Sequence, residues 1–229
     1  MEQAIFHGHQ KRITACVFNH ASPPGFIVSS SRDCTVRLWS LATGNAEVID
    51  GVEGGMNCCA LSPDDTVVVC GGSDKHLYVC SVAKRVVVHQ LAGHTSAVRH
   101  VDTNNAMAVS CDGKDLRAWD IILGRSACHP CKIAGVEVAK ISMQGHLVLT
   151  AQGKSLALWT LDGDNFREIC RCVGHKGPVR TCFLSGDATV AVSGADDNHV
   201  KLWNMADGSC THTFSGHSRA VTAVAISPK

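Results

Sequence analysis

The sequence carries almost no excess charge. Its 21 lysines and arginines stand against 20 aspartates and glutamates, a net charge of +1 with histidine neutral, so the strong field that seeks a polyanion is missing. No apolar run reaches the about eighteen residues of a membrane span, and the stretch from Met1 to His7 lacks the basic start and apolar core of a secretory leader. An intracellular, cytoplasmic chain is expected, with the nucleus also open to it, no strong nucleic-acid signal and no membrane partner. A glycine-rich phosphate loop, a His-Glu-x-x-His motif and paired catalytic carboxylates are absent too. The expectation is a protein that is not an enzyme and needs no cofactor.

What is present is a packed core's worth of apolar residues, 45% of 229, and a uniform internal repeat that argues for one continuous array. The 13 cysteines fall mostly in apolar runs (Cys16, Cys58, Cys59, Cys70, Cys80, Cys182), where a small polarisable side chain packs well and free thiols suit a reducing compartment. Trp39, Cys80, Trp119, Trp159 and Trp203 stand at intervals of 41, 39, 40 and 44 residues. The pairs Gly8-His9, Gly93-His94, Gly174-His175 and Gly216-His217 keep the same beat. The fullest copy runs from Gly174 to Asn204, with Ser193-Gly194-Ala195-Asp196-Asp197 in its turn and Val200-Lys201-Leu202-Trp203-Asn204 after it.

A period of about 40–45 residues with these two markers in phase resembles the WD40 family. The resemblance implies an all-β propeller of five complete four-stranded blades plus an incomplete sixth. Its repeats span approximately 4–41, 46–82, 86–121, 125–161 and 166–205, with a partial one at 210–229. Alternation and turn residues place the first repeat's strands at 4–6, 13–18, 26–29, 35–39 and 46–49. Repeat two has Gly54-Gly55 for Gly-His and Cys80 for Trp; repeat four has Gly135-Val136 and the turn Gln152-Gly153-Lys154. Both are expected to pack less firmly, or to be where a partner binds. Residues 4–6 and 220–226 offer strands to a blade whose middle strands are missing. That leaves open edges, so 1–229 is expected to be part of a longer propeller, or a ring that closes imperfectly.

In the family resembled, a repeat His, Ser, Asp and Trp form a buried hydrogen-bonded tetrad. By position these are His9, Ser29, Asp33 and Trp39; His94, Ser110, Asp112 and Trp119, in a turn one residue shorter; and His175, Ser193, Asp197 and Trp203. A buried carboxylate and indole N–H cost free energy unless paired, and a set that recurs in several blades reads as structural, not as a Ser-His-Asp triad. Cys128-His129-Pro130-Cys131 and Cys170-Arg171-Cys172 have some of the spacing of zinc ligands, but packing or surface thiols are the favoured reading and no metal is expected. Arg37, Arg117 and Lys201 share one register two residues before Trp, and a solvated or stem-packed role is expected for them.

By elimination and resemblance the function is binding: an interaction scaffold for other proteins or peptides. The candidate contact residues lie in the loops and turns, at Arg32, Lys75, Lys114, Lys176, Asp196 and Arg219. A substrate receptor of a cullin-type ubiquitin ligase and the sensor array of a NACHT or apoptosome-like ATPase are the alternatives. The first is disfavoured where docking needs Trp-Asp-x-Arg, since Trp119-Asp120 is followed by Ile121-Ile122.

Overall fold

The computed structural model describes residues 5–127, 130–133, 135–162 and 165–226. Among them every regular element is a strand, and the strands form five antiparallel sheets in sequence order. Blade 1 is β1 (Ile13–Phe18), β2 (Phe26–Ser31), β3 (Val36–Ser40) and β4 (Ala46–Ile49). Blade 2 is β5 (Met56–Leu61), β6 (Val67–Gly72), β7 (Leu77–Ser81) and β8 (Val86–Leu91). Blade 3 is β9 (His100–Thr103), β10 (Met107–Cys111) and β11 (Asp115–Asp120), with a split outer strand, β12 (Arg125–Ser126) and β13 (Cys131–Lys132). Blade 4 is β14 (Val136–Ile141), β15 (Leu147–Gln152), β16 (Ser155–Asp162) and β17 (Asn165–Val173). Blade 5 is β18 (Val179–Leu184), β19 (Val190–Ala195), β20 (Val200–Asn204) and β21 (Cys210–Phe214).

The meander follows from short β-branched and aromatic runs broken by turn residues. The blades' faces are apolar on both sides, so each must be covered by a neighbour. Four buried clusters do this, one between each successive pair of blades; Val28, Tyr78 and Cys80 belong to the first, and Leu149, Val179 and Trp203 to the last. No such cluster joins blade 5 to blade 1 among the described residues. Polar clasps reinforce the seams. Asp65 of blade 2 accepts from His20 N at 2.9 Å and Asn19 Nδ2 at 3.2 Å, and Asn104 Nδ2 donates to Ser142 O at 3.2 Å.

Two expectations need correction. Residues 5 and 6 form no strand, and 220–226 join no strand ladder; residue 4 lies outside the described residues. Val221 starts as Val98 and Val179 do, its N–H donating to Ala195 O at 3.1 Å. A ladder needs a hydrogen-bonding neighbour, and among the described residues none lies beside 222–226. Nor is blade 2 loosely packed: Leu77, Tyr78, Val79 and Cys80 are each 0% exposed.

Candidate functional site: the blade networks and the channel mouth

The histidine networks are built identically in blades 1 and 5. In blade 1 His9 Nδ1 lies 2.9 Å from Asp33 Oδ2, His9 Nε2 2.7 Å from Ser29 Oγ, and Trp39 Nε1 donates to Ser29 Oγ at 2.7 Å. In blade 5 the distances are 2.9 Å for His175 to Asp197, 2.8 Å for His175 to Ser193 and 2.7 Å for Trp203 to Ser193. A carboxylate only accepts, so Nδ1 carries the proton, Nε2 accepts from the hydroxyl and the hydroxyl accepts from the indole. Burial pushes the Asp197 carboxyl up, but bonds from Lys176 N, His175 and His199 N outweigh it and hold its pKa at about 2. Burial likewise lowers the His175 pKa.

Blade 3 departs from this. Ser110 keeps its partners, with His94 Nε2 at 2.7 Å and Trp119 Nε1 at 2.8 Å, but Asp112 stands 3.4 Å from His94 Nδ1. Its shorter turn aims the carboxylate at four backbone N–H groups instead, those of Thr95, Ser96, Lys114 and Asp115. Two of the three basic residues in register stack on their tryptophans, Arg37 and Arg117 lying 5.9 Å and 5.8 Å from the Trp39 and Trp119 rings, while Lys201 Nζ donates to Thr213 Oγ1 at 2.8 Å instead. The stacking explains the glycine of Gly93-His94, since a Cβ there would stand 2.7 Å from Arg117 Nη1 and 3.1 Å from the Trp119 ring.

The two degenerate blades rebuild their networks from residues that the motif does not announce. In blade 4 Thr150 takes the serine's place, accepting from Trp159 Nε1 at 2.8 Å, and Gln152 Nε2 donates to it at 2.9 Å where histidine bonds elsewhere. In blade 2 a Cβ on Gly54 would meet Asp74 Cγ at 2.5 Å, and Tyr78 supplies the bond instead, its hydroxyl donating to Asp74 at 2.5 Å. Burial and Asp74 push the Tyr78 pKa up to about 12. Tyr78→Phe is expected to strand Asp74 and cost about 1–3 kcal/mol in thermal or urea unfolding; a loss under about 0.3 kcal/mol would remove Tyr78 from this role.

None of these serines can serve a substrate. Ser29, Ser110 and Ser193 are 2%, 0% and 0% exposed, and each hydroxyl already holds an indole. No group of three or more His, Cys, Asp or Glu residues among the described ones is placed to hold a metal ion. Cys131 and Cys170 sit on outer strands of adjacent blades; Cys128 and His129 lie outside the described residues.

Accessible polar groups gather instead at the mouth of the channel. The inner strands β1, β5, β14 and β18 each break register just after their first residue, at Ile13/Ala15, Met56/Cys58, Val136/Val138 and Val179/Thr181. A bulge re-aims the side chain it carries, here those of Thr14, Asn57, Glu137 and Arg180. Arg99, just before β9, holds the same place. These side chains reach sideways: Asn57 Nδ2 donates to Val98 O at 2.7 Å, Arg99 Nη1 donates to Glu137 at 2.8 Å, and Arg180 pairs with Asp196. Between them lies an open cavity of about 690 Å³ lined by Arg32, Asn57, Ser96, Ala97, Arg99, Asp112, Gly113, Lys114 and Glu137, from four blades.

Segments 2–40, 47–81, 85–120, 166–204 and 208–229 match the family model described as WD domain, G-beta repeat. The chain belongs to the WD40 family. Only blade 4, which has neither the histidine nor the aspartate, falls between the matched segments. Telomerase protein component 1 of Rattus norvegicus is 28% identical over 92% of this chain and 9% of its own length. Nuclear distribution protein nudF of Aspergillus niger is 28% identical over 96% of this chain and 46% of its own, and autophagy-related protein 16 of Arabidopsis thaliana 25% over 96% and 36%. The chain thus spans less than half of each of these relatives. The WD40 propeller domain of Doa1 superposes with a TM-score of 0.78 at 24% identity over 94% of this chain and 72% of that one, and the designed Ika8 protein with 0.79 at 23% over 97% and 67%; these show the fold.

Of the contact residues read from the sequence, the WD40 fold brings Arg32 and Lys114 to this cavity, while Lys75, Lys176, Asp196 and Arg219 stand outside its lining. Asn57, Arg99 and Glu137 were not singled out by motif. Their signal is positional: Arg99 and Arg180 each follow their repeat histidine by the same five residues.

Proposed function

We propose that this chain is a non-catalytic interaction scaffold and that the channel mouth takes a segment of another protein. The observation that carries this is the cavity itself. Its volume lies in the range of binding sites, but its lining is polar and comes from four blades, which suits an extended peptide better than a small apolar molecule. Asn57 is held in this lining by its own bond across the seam, Nδ2 donating to Val98 O at 2.7 Å. WD40 propellers generally serve as protein-interaction scaffolds, which agrees.

The test is a library of short displayed peptides panned against the whole chain. Recovered peptides are expected to bind Asn57→Ala roughly tenfold more weakly at a temperature where the variant stays folded, and Val88→Ala, on the outer strand β8, as tightly as the parent. Equal loss at Val88, or none at Asn57, would move the docking site off this face.

A further inference from the structure

The cations of this cavity are not spent alike. Arg99 is held by Glu137, with 2.8 Å between Nη1 and Oε1. The Asp112 carboxylate takes its hydrogen bonds from four backbone N–H groups and forms no ion pair with Arg32 or Lys114, although its charge remains in the lining. Arg32 and Lys114, both exposed, come from different blades and line the same cavity. Neither side chain makes a hydrogen bond or an ion pair with any described residue. The cavity therefore presents two cations that have no ion-pair partner among the described residues, in a lining whose three cations (Arg32, Arg99, Lys114) outnumber its two carboxylates (Asp112, Glu137) by one.

We propose that the mouth selects its protein segments by an anionic side chain, a carboxylate or a phosphate, seated between Arg32 and Lys114. This rests on the reading of the cavity as a docking site and adds what that site recognises. A cation pair attracts an anion, and an arginine fork suits a carboxylate or phosphate in particular. Single-stranded nucleic acid fits less well, because the lining holds no aromatic ring on which a base would stack.

The experiment uses peptides recovered from the displayed library on the full chain, resynthesised with glutamate, phosphoserine or glutamine at the enriched position. The expected result is an Asp or Glu at one fixed position and at least tenfold weaker binding of the glutamine form. The Arg32→Ala/Lys114→Ala double variant should bind roughly tenfold or more weakly, and Lys114→Arg should keep most of the affinity. Affinity should fall as salt is raised. Phosphoserine binding above glutamate assigns the phosphate source, and the reverse order the carboxylate. Peptides with no fixed acidic residue, or with full affinity for the double variant, overturn the charge inference, while a loss at Asn57→Ala would still leave the docking reading standing. Recovery of no peptide overturns both. Oligothymidylate that binds the parent but not the double variant, with no acidic peptide recovered, gives the cations to nucleic acid and also overturns the inference.

Discussion

Trp203→Ala is expected to lower the unfolding free energy by about 3–5 kcal/mol, the range for emptying a buried large aromatic. Trp203 is 1% exposed and belongs to the cluster that joins blades 4 and 5. Its indole also holds Ser193 Oγ, which in turn positions His175. Removing it opens a cavity at a seam and breaks a buried network together, against a typical total stability of about 5–15 kcal/mol. Cys80, in the same register of blade 2, fills far less volume and bonds no serine. Cys80→Ala is therefore expected to cost about 1–2 kcal/mol. Urea unfolding of both variants checks the pair; a Trp203 variant within about 1 kcal/mol of the parent would contradict the role given to the network.

The second large effect is acid unfolding. The carboxyls of Asp33, Asp112 and Asp197 are all held below the usual carboxylate range in the fold. A depressed carboxylate stabilises above its unfolded pKa, and that contribution is lost as pH falls towards the folded value. For a carboxyl held at about 2 against about 3.9 unfolded, the contribution at neutral pH is about 2.6 kcal/mol. The histidines act in the same direction. His94, His100 and His175 are lowered, chiefly by burial, His100 to about 3 with the Lys140 ammonium helping. Their stabilisation is complete above about pH 6.5 and is lost on acidification. Stability should thus decline from about pH 6.5, steepen below about pH 4, and fail towards pH 2–3. A pH series of melts should show this, with a shallower acid limb for Asp197→Asn. A flat profile from pH 7 to about 3.5 would contradict it.

Much of the fold was legible because a few side chains punctuate it. A tryptophan near the end of the third strand in four of the five blades and a Gly-His pair ahead of most first strands mark the blades in phase, and the fourth strand of blade 1, 46–49, falls where alternation puts it. The reason is physical: each marker meets a fixed partner inside its own blade. What alternation cannot show is a partner outside the segment. Residues 220–226 have strand-like composition but, among the described residues, no strand to pair with. Asn57 and Glu137 sit at bulges, where the period of two breaks down, and Arg99 holds the corresponding place just before β9, so pattern reading found Arg32 and Lys114 in the turns but passed over these three. Tyr78 and Gln152 were missed for a related reason. They complete networks from registers that another residue type occupies in the other blades.

The most direct measurement is amide chemical-shift mapping of the isotope-labelled chain as a recovered peptide is added. The account predicts shifts concentrated at residues 57, 97–99, 113–114 and 137, with β4, β8 and β21 unmoved. Shifts confined to those outer strands, with the channel mouth silent, would contradict it.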